Sequence, residues 1–578
     1  MGFQVDEVIN TDVLVIGGGA AACMAAISAD AQGAKVMMVD KGQLGKSGCS
    51  PNAHGGMAMH HKLVGDSWRV HLEDTLMGGG FLNDQDLVRI MCQEAGKFIR
   101  RLEEFGSLFE RDPDGSFSVR KFGGHRYARS VFCGDETGHE MMNGLKREIL
   151  RRNIRYLDEV MATRLITEDG AVVGAFCWDI GMGKFYYIRS PSIILCTGDA
   201  AGIWPSASER QRGDGFILAL EAGAELQDLE FIQYHPTHAW WPFGVRGSVS
   251  ESFRSEGGYL LNKLGERFMQ FYDPEKMELA TRDKISVAIF KEILAGRGAL
   301  HGGIYASVAH LPPEHIEQRL PVIFRKYLSY GSDIRKEPIE VRPRPHYHCG
   351  GVRINSRAET SVPGLYAAGA VTAGVHGANR LGSNALVDIL VFGEIAGIRA
   401  ATRAMESLGR VPENAELVNE EKQRIVGLLS SSPNRPLPVP YIRRRHVEMM
   451  DCYMGVIRTE EGMKAMLDEI ERSKREELPY LTVHDKSKLY NYELRDALEV
   501  FFRIEVEEMA VKAALMRKES RGSHYREDYP TRNDREWLRN IVFTKVKGEL
   551  RGETRDVEMP IVHIKELPDY AQSDSPWH

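Results

Sequence analysis

Short apolar runs that end on glycine recur along this chain and predict a parallel sheet. Residues 11–16 (Thr-Asp-Val-Leu-Val-Ile) predict a buried strand, and Gly17-Gly-Gly-Ala-Ala-Ala22 predicts the turn that follows it. Cys23–Asp30 then begins a helix of small residues that can pack tightly on the sheet. The next strand, Lys35–Asp40, ends in a carboxylate about twenty residues after the glycines. This order is typical of a dinucleotide-binding fold, in which the helix start holds a pyrophosphate and the acid holds ribose hydroxyls.

Two later runs repeat the same passage from an apolar strand to a glycine turn. Ser192–Gly198 precedes a predicted helix at Phe216–Ala224, and Gly364–Gly369 stands just before the motif His376–Asn384. Because the carboxyl ends of parallel strands meet at one edge of a sheet, these runs predict one sheet around one extended ligand. The stretch 233–349 is then an inserted domain.

The pattern becomes helical in the last third of the chain. From about residue 418, charged segments such as Glu460–Glu476 and Ala497–Ala514 repeat with the helical period. These segments predict a helical C-terminal domain.

Composition narrows the class of protein. The 578 residues suggest two or three domains, and a net charge of −7 argues against nucleic-acid binding. No apolar run approaches the roughly eighteen residues of a membrane span, and Met1–Glu7 lacks the features of a signal peptide. The eight cysteines form no C-x-x-C pair, which disfavours disulfides, a metal site or an iron–sulfur cluster held by this chain alone. We therefore expect a cytoplasmic protein that binds no metal.

Cationic side chains recur at four places and predict a site for an anionic substrate. Arg380 stands beside a glycine-flanked turn that leads into an apolar helix. Further side chains that can carry positive charge or donate hydrogen bonds occur in His235-Pro-Thr237, Arg282-Asp283 and His346-Tyr347. Arginine suits this task because its planar guanidinium binds carboxylates bidentately and stays charged.

In order along the chain, these motifs resemble the flavoprotein of the succinate dehydrogenase/fumarate reductase superfamily, which also includes L-aspartate oxidase. The resemblance covers nearly the whole chain, through Val13–Ala22, Gln233–Thr237, Glu256–Asn262, Gly265–Phe268, His376–Asn384 and Glu519–Pro530. It implies an α/β fold with a Rossmann-like FAD-binding domain, an α+β capping domain that interrupts it and a helical C-terminal domain. The implied bounds are 8–232 and 350–417 for the FAD-binding domain, 233–349 for the capping domain, 418–545 for the helical domain and 546–578 for a tail.

The implied reaction is the reduction of a carbon–carbon double bond between two carboxylates. Hydride reaches one carbon from the flavin and a proton reaches the other, while negative charge builds toward a carboxylate. Fixed cations beside that carboxylate stabilise the transition state. By resemblance, Arg282 relays the proton and Glu251 supplies it again to the arginine. The other positions that the resemblance assigns to the C4-dicarboxylate are His235, Ser250, His346, Arg380 and the aromatic Phe122.

The resemblance also assigns residues to FAD. They are Gly17, Gly19, Ala20, Ala21, Asp40, Lys41, Ser47, Gly55, Gly56, Thr197, Gly198, Asp214, Gly369, Arg380, Ser383, Asn384 and Leu386. Ser383 and Asn384 are residue types that cap helices, and they precede a predicted helix at Ala385–Ile398. The positive end of that helix would stabilise an anionic reduced flavin.

Two departures from the respiratory pattern concern the flavin. Covalent members attach FAD through a histidine, and counting back from Gly55-Gly56 puts Cys49 at that position, while His54 is not the attachment position. We therefore predict non-covalent FAD, which favours reduction of the substrate over succinate oxidation. The usual Gly-Glu after the third strand is here Gly369-Ala370, which removes one expected contact with the cofactor.

A third departure leaves an alternative open. The segment from His235 to Ser250-Glu251 is longer than in respiratory enzymes, and its spacing is closer to L-aspartate oxidase. Glu140 also falls where aspartate oxidases carry a glutamate that receives the substrate ammonium. The segment 519–538 instead resembles the flavoproteins that dock an iron–sulfur subunit. We favour the fumarate reductase/succinate dehydrogenase type, with an iron–sulfur partner and membrane contact only through partner subunits. The alternatives are an L-aspartate oxidase and a complex-bound flavin subunit for another unsaturated acid.

Overall fold

A five-stranded parallel sheet organises the largest domain. The computed structural model describes residues 5–60, 65–205, 211–245, 247–407, 412 and 414–566. The strands of the sheet are, in spatial order, Leu365–Ala367, Ser192–Leu195, Val13–Ile16, Val36–Asp40 and Arg155–Asp158. The three strands that lead into glycine turns are therefore neighbours, as the sequence pattern indicates, and the strand that ends at Asp40 pairs beside them.

Small residues let two helices approach closely beside this sheet. The helix Ala20–Ala31 is the predicted small-residue helix, and it packs against the long helix Asn384–Glu406. A Cβ atom on Gly397 would stand 2.2 Å from the carbonyl oxygen of Ala25. Only glycine avoids this clash, because it has no Cβ atom. The motif His376–Asn384 is thereby held against the first strand, turn and helix.

The observed bounds differ from the predicted ones at element ends. The strands are shorter than the apolar runs: Val13–Ile16 and Val36–Asp40 begin later than predicted, whereas Ser192–Leu195 and Leu365–Ala367 end before their glycines because the chain turns there. The helix predicted at 216–224 is Asp214–Glu221, and the helix predicted at 385–398 extends over Asn384–Glu406. The other long helices of this part are Trp68–Gly78, Gln85–Glu104 and Thr137–Arg151. A second sheet, which the sequence did not predict, has the order Glu7–Asn10, Phe185–Arg189, Ala171–Asp179 and Val160–Glu168.

The inserted stretch has its own antiparallel sheet and its own apolar core. The sheet has the order Ile232–Trp241, Ile339–His348, Ile304–Ser307 and Tyr259–Leu261. Its helices are Glu251–Ser255, Met269–Tyr272, Arg282–Glu292, Pro313–Arg319 and Pro321–Ser329. The first and last long strands of the insertion lie side by side, so both ends of the insertion return to the parallel sheet at one place. This is the α+β capping unit.

The C-terminal third is helical, as its charge pattern predicts. Its long helices are Ala415–Ser430, Val439–Tyr453, Glu460–Glu476 and Tyr492–Met516. The third of these has the predicted bounds, and the fourth contains the predicted segment 497–514. Among the helices in the described part of the chain, none is long and apolar enough to cross a membrane.

A hairpin crosses the predicted boundary between helical domain and tail at residue 545. Its strands Arg539–Val546 and Glu549–Asp556 turn at Lys547 and Gly548, both of which have positive φ angles. The first strand pairs with Leu226–Gln227, so this part of the chain returns to the FAD-binding domain. The predicted boundary at residue 545 is wrong because it divides this hairpin. The pairing of the hairpin with a distant strand leaves no local signal in the sequence. Residues 567–578 of the predicted tail lie outside the described residues.

Candidate active site

Two side chains of the capping domain form the centre of the site. Arg282 begins the helix Arg282–Glu292, and its Nε and Nη2 donate to Glu251 Oε2 at 3.0 and 2.7 Å. Glu251 begins the short helix Glu251–Ser255, whose N-cap Ser250 accepts a hydrogen bond from the backbone of Ser252. Both charged groups are buried. The structure therefore pairs the two residues that the resemblance assigns to proton transfer.

Glu251 is an anion in this setting. Burial alone would raise the pKa of its carboxyl group, but the charges of Arg282 and Arg254 outweigh burial and bring the pKa to about 2. Its second oxygen accepts the backbone N–H of Gly123 at 2.9 Å, across the boundary between the capping and FAD-binding domains. The carboxylate thus joins the capping domain to the loop that carries Phe122.

Arg254 is a site residue that the sequence reasoning missed. It is fully buried, its Nη1 donates to the carbonyl oxygen of Glu278 at 2.7 Å, and its Nη2 lies 3.8 Å from Glu251 Oε2. Its Nε and Nη2 are buried without a hydrogen-bond partner in the described part of the chain. The available signal was the spacing Glu251-x-x-Arg254, which puts both side chains on one face of a helix.

Gln233 was also missed, and it connects the two arginines at positions 282 and 380. Its Oε1 accepts from Arg282 Nη1 at 3.1 Å. Its Nε2 donates to Asn379 Oδ1 and to the carbonyl oxygen of Arg380, both at 2.6 Å. One amide side chain therefore sets the position of Arg282 relative to the backbone that carries Arg380.

Arg380, His235 and His346 complete a positive site. The guanidinium of Arg380 lies 4.6 Å from the ring centre of Tyr347, and its Nε is buried without a hydrogen-bond partner among described residues. Burial and then Arg282 lower the pKa of Arg380 to about 10, so it stays a cation at neutral pH. The rings of His235 and His346 are 5.2 Å apart. Burial and Arg282 lower the pKa of both histidines well below the usual value, so both are neutral hydrogen-bonding groups.

The aromatic Phe122 is close to this centre, whereas Glu140 is not part of it in any contact we observe. A Cβ atom on Gly382 would stand 3.0 Å from both the Phe122 ring and Glu251 Oε2, which shows that the two side chains share one wall. Glu140 instead accepts the backbone N–H of Leu108, a residue that is 71% exposed. Its carboxylate is therefore used at the surface in this conformation.

The first glycine turn fits the pyrophosphate of a dinucleotide. A Cβ atom on Gly17, at φ +130°, would stand 2.3 Å from the carbonyl oxygen of Cys196, and one on Gly18 would stand 2.4 Å from Asp40 Oδ2. The helix Ala20–Ala31 has Gly19 as its N-cap, which has no side chain to accept from the first N–H groups, and the N–H of Ala20 donates to Ser50 Oγ at 3.3 Å. Backbone donors at a helix start are suited to a phosphate.

Other predicted cofactor residues line the same edge of the sheet. Asp40 accepts a hydrogen bond from Ser47 Oγ, and burial raises the pKa of its carboxyl group. Thr197 Oγ1 and Asp214 Oδ1 are buried and have no hydrogen-bond partner in the described ranges, so both can accept one from a ligand. Gly198 and Gly369 have positive φ angles, and a Cβ atom on Gly369 would stand 2.9 Å from Ala21 Cβ. The places of Gly55, Gly56 and Leu386 at the cofactor stay predictions.

The predicted capping of the helix Asn384–Glu406 by side chains is wrong. Ser383 occupies the N-cap position with φ 70°, but its hydroxyl bonds to Ser130 Oγ at 2.5 Å. The Asn384 side chain bonds to His71 and Thr75. Because these side chains point to neighbouring elements, they leave the first N–H groups of the helix open to a ligand.

The segment that resembles partner-docking flavoproteins is used inside the chain. Arg521 Nη1 donates to the carbonyl oxygen of Gly80 at 2.7 Å, and Ser523 Oγ donates to that of Ala378 at 2.8 Å. Arg521 and His524 are at most 2% exposed. The first part of this segment therefore supports the backbone beside Arg380, whereas Glu527, Asp528, Arg535 and Glu536 in its second part are exposed.

A dinucleotide cradle at the edge of a parallel sheet, facing an arginine pair under a capping domain, defines a FAD-dependent oxidoreductase. The chain belongs to the flavoprotein family of fumarate reductases and succinate dehydrogenases: the FAD binding domain matches residues 12–386, and the fumarate reductase flavoprotein C-terminal domain matches residues 443–569. The predicted fold class, the FAD cofactor and the family are thereby confirmed.

Individual relatives cover almost the whole chain. The chain is 44% identical over 544 residues to a fumarate reductase (CoM/CoB) subunit of Methanothermobacter marburgensis, covering 93% of this chain and 98% of the relative. It is 34% identical to the succinate dehydrogenase flavoprotein subunit of Rickettsia bellii, with 92% of each chain covered. The solved structure of a variant of E. coli quinol fumarate reductase FrdA superposes with a TM-score of 0.91 at 32% identity, covering 96% of this chain and 98% of that one.

Proposed function

We propose that this protein reduces fumarate, or a close unsaturated C4-dicarboxylate, with Arg282 as the proton donor. The observation that carries the proposal is the buried pair Arg282–Glu251 beside Arg380 and the neutral rings of His235 and His346. Two fixed cations and two neutral imidazoles match a substrate with two carboxylates. Relatives named as fumarate reductase and succinate dehydrogenase subunits support the same reaction class.

The residues divide the work by charge and by position. Arg380, held by its contact with Tyr347 and through Gln233, binds a substrate carboxylate, and Ser250 and the two histidines donate further hydrogen bonds. FAD, when bound, supplies the hydride. Arg282 delivers the proton to the other carbon, and its position is fixed before the substrate arrives because three of its nitrogens are already hydrogen-bonded. Such preorganisation lowers the barrier without a reorganisation cost.

Glu251 supports this transfer as a base and not as a stored acid. With a pKa of about 2 its carboxyl group holds no proton at neutral pH. It can therefore pass to Arg282 only a proton that it has just received. Arg254, buried 3.8 Å away with two unbonded nitrogens, is placed to donate that proton.

The flavin is held non-covalently in this proposal. Cys49, which replaces the attachment histidine, precedes the short turn Ser50–Asn52 and is half-buried. His54, five residues later, contacts the carbonyl oxygen of Asp135 at 2.7 Å through Nδ1 and so is used elsewhere.

We further propose that an iron–sulfur subunit exchanges electrons with this chain in the cytoplasm. Within the described residues, no three His, Cys, Asp or Glu side chains form a group that could hold a metal ion. The relative from M. marburgensis is named as one subunit of its enzyme, which supports a second subunit here. Membrane contact, if the complex has one, would pass through partner subunits.

The substrate assay tests the proposal against its alternatives. Purified protein should oxidise dithionite-reduced viologen when fumarate is added, and should produce no iminoaspartate from L-aspartate under oxygen. The carboxylate of Glu140 accepts the backbone N–H of Leu108, which supports the reductase proposal over the oxidase alternative. Oxidation of L-aspartate that is lost in Glu140→Ala would overturn our proposal. Turnover of a different unsaturated acid, without fumarate turnover, would favour the third alternative and a role for the long loop 238–249.

A further inference from the structure

A carboxylate of the helical domain joins two loops of the cofactor site. Glu499 lies on the helix Tyr492–Met516, and its side chain is 3% exposed. Its Oε1 accepts from Lys41 Nζ at 3.0 Å, and its Oε2 accepts from Arg212 Nη1. Lys41 directly follows the acid Asp40, and Arg212 stands just before the helix that Asp214 begins. Both loops therefore contact one residue from a domain that is distant in sequence.

Lys41 is held between two carboxylates. Its Nζ lies 3.1 Å from Asp214 Oδ2 as well as 3.0 Å from Glu499 Oε1. Burial alone would lower the pKa of Lys41, but these two acids outweigh burial and raise it. The ammonium group is thus paired with two carboxylates of the protein, and its direct contact with the cofactor stays a prediction.

The other oxygen of Asp214 is free to accept a hydrogen bond. Asp214 is 5% exposed, and its Oδ1 is buried with no hydrogen-bond partner in the part of the chain that the structure describes. Thr197 Oγ1 is in the same condition, and it lies beside Gly215, the next residue after Asp214. Buried acceptors without partners are costly, so two adjacent ones at the ligand edge of a sheet point to donors on a bound ligand.

We propose that Glu499 is a positioning residue for FAD. By fixing Lys41 and Arg212, it aims the Asp214 carboxylate so that Oδ1 accepts a hydrogen bond from the cofactor. The helical domain then contributes to FAD affinity although none of its residues was predicted at the cofactor. The inference rests on FAD binding and not on the identity of the substrate.

Glu499→Gln tests the proposal through release of FAD from the full-length holoprotein. After dilution, the fluorescence of freed FAD should rise about tenfold faster than in the wild type, because the substitution leaves Lys41 and Arg212 without their shared carboxylate. Glu508→Gln is the matched control. Glu508 lies on the same helix and also pairs with two lysines, Lys474 and Lys512, neither of which lies in a cofactor loop. Its FAD release should match the wild type.

Thermal unfolding separates positioning from simple stabilisation. A ligand that binds the folded state raises the unfolding midpoint by an amount that grows with its affinity. We expect excess FAD to raise the midpoint of Glu499→Gln less than those of the wild type and Glu508→Gln. A purely structural role would lower the midpoint of Glu499→Gln while its FAD-dependent rise stayed the same.

Lys41→Gln provides a second variant, since it removes the other end of the ion pair. Lys41→Gln should also release FAD faster than the wild type. In the double variant, Lys41→Gln with Glu499→Gln, the rate should increase by less than the product of the two single increases, because the two residues act through one contact. Wild-type release from Glu499→Gln overturns the proposal. If Glu499→Gln does not fold, release of FAD from Lys41→Gln at the wild-type rate overturns the proposal instead. No substrate is used, so these results can be interpreted even if fumarate is not turned over.

Discussion

Arg282 donates two hydrogen bonds to a single oxygen of Glu251, from Nε at 3.0 Å and from Nη2 at 2.7 Å. The second oxygen of Glu251 remains available to the backbone of Gly123 in the other domain. One carboxylate therefore orients Arg282, the proton donor that we propose, and also holds the capping domain against the FAD-binding domain. A substitution at either residue should affect chemistry more than cofactor binding, because neither lies in the dinucleotide cradle.

Arg282→Ala should keep FAD bound and reducible while turnover of fumarate falls by several orders of magnitude. Loss of general acid catalysis typically costs roughly 10²–10⁴-fold, and loss of positioning adds to this. Turnover is measured with dithionite-reduced viologen, and bound FAD is measured by absorbance. Near-wild-type turnover would show that another group delivers the proton.

Arg380→Ala should weaken substrate binding. Removing a charged partner of a carboxylate typically costs about 1.5–3 kcal/mol, which corresponds to a rise in KM of roughly 10–100-fold. Arg325→Ala is the control, because Arg325 is an exposed capping-domain arginine that bonds only to the carbonyl oxygen of Pro321 among the contacts we observe. An equal KM in the two variants would exclude Arg380 from the substrate site.

The FAD should come free when the protein is denatured. Cys49 stands where covalent members carry the attachment histidine, so acid precipitation should leave the yellow chromophore in the supernatant. Cys49→Ala should behave in the same way. A fluorescent band that stays with the polypeptide on a denaturing gel would show a covalent link, and its loss in Cys49→Ala would identify the thiol.

Asp199 should make the folded state less stable as pH rises toward neutrality. Its carboxyl group accepts only backbone N–H groups in the contacts we observe, from Ala201 and His348, and burial raises its pKa from 3.8 to about 7. Between these two values the unfolded chain has lost the proton that the folded chain keeps, so the free energy of unfolding falls with pH and then levels off above about 7.

The Asp199→Asn variant cannot ionise and should lack this part of the pH dependence. Urea unfolding midpoints between about pH 5 and pH 8 should therefore fall less in the variant than in the wild type. Parallel curves for the two proteins would mean that Asp199 is already ionised in the folded state at pH 5.

Much of the cofactor site could be predicted from the sequence because its signals are local. The glycines at 17–19 and the small residues of the first helix act through close backbone approach within one strand–turn–helix unit, and the acid Asp40 ends the next strand. The helix Glu460–Glu476 was predicted at its observed bounds for a similar reason, since its charged and apolar positions repeat along one element. The pairing of Arg282 with Glu251 followed only from resemblance to a family.

The sequence by itself determined the dinucleotide cradle, the helical C-terminal third and the cationic residues of the site. Only the tertiary structure decided which of these side chains meet. It brought in Gln233 and Arg254, placed Glu140 at the surface and turned the segment at Arg521 inward. It also joined Glu499 to two loops of the cofactor site, at separations of 458 residues from Lys41 and 287 residues from Arg212. Contacts of this kind depend on how whole domains pack. The pattern of apolar and polar residues in one segment does not indicate which distant segment it will contact.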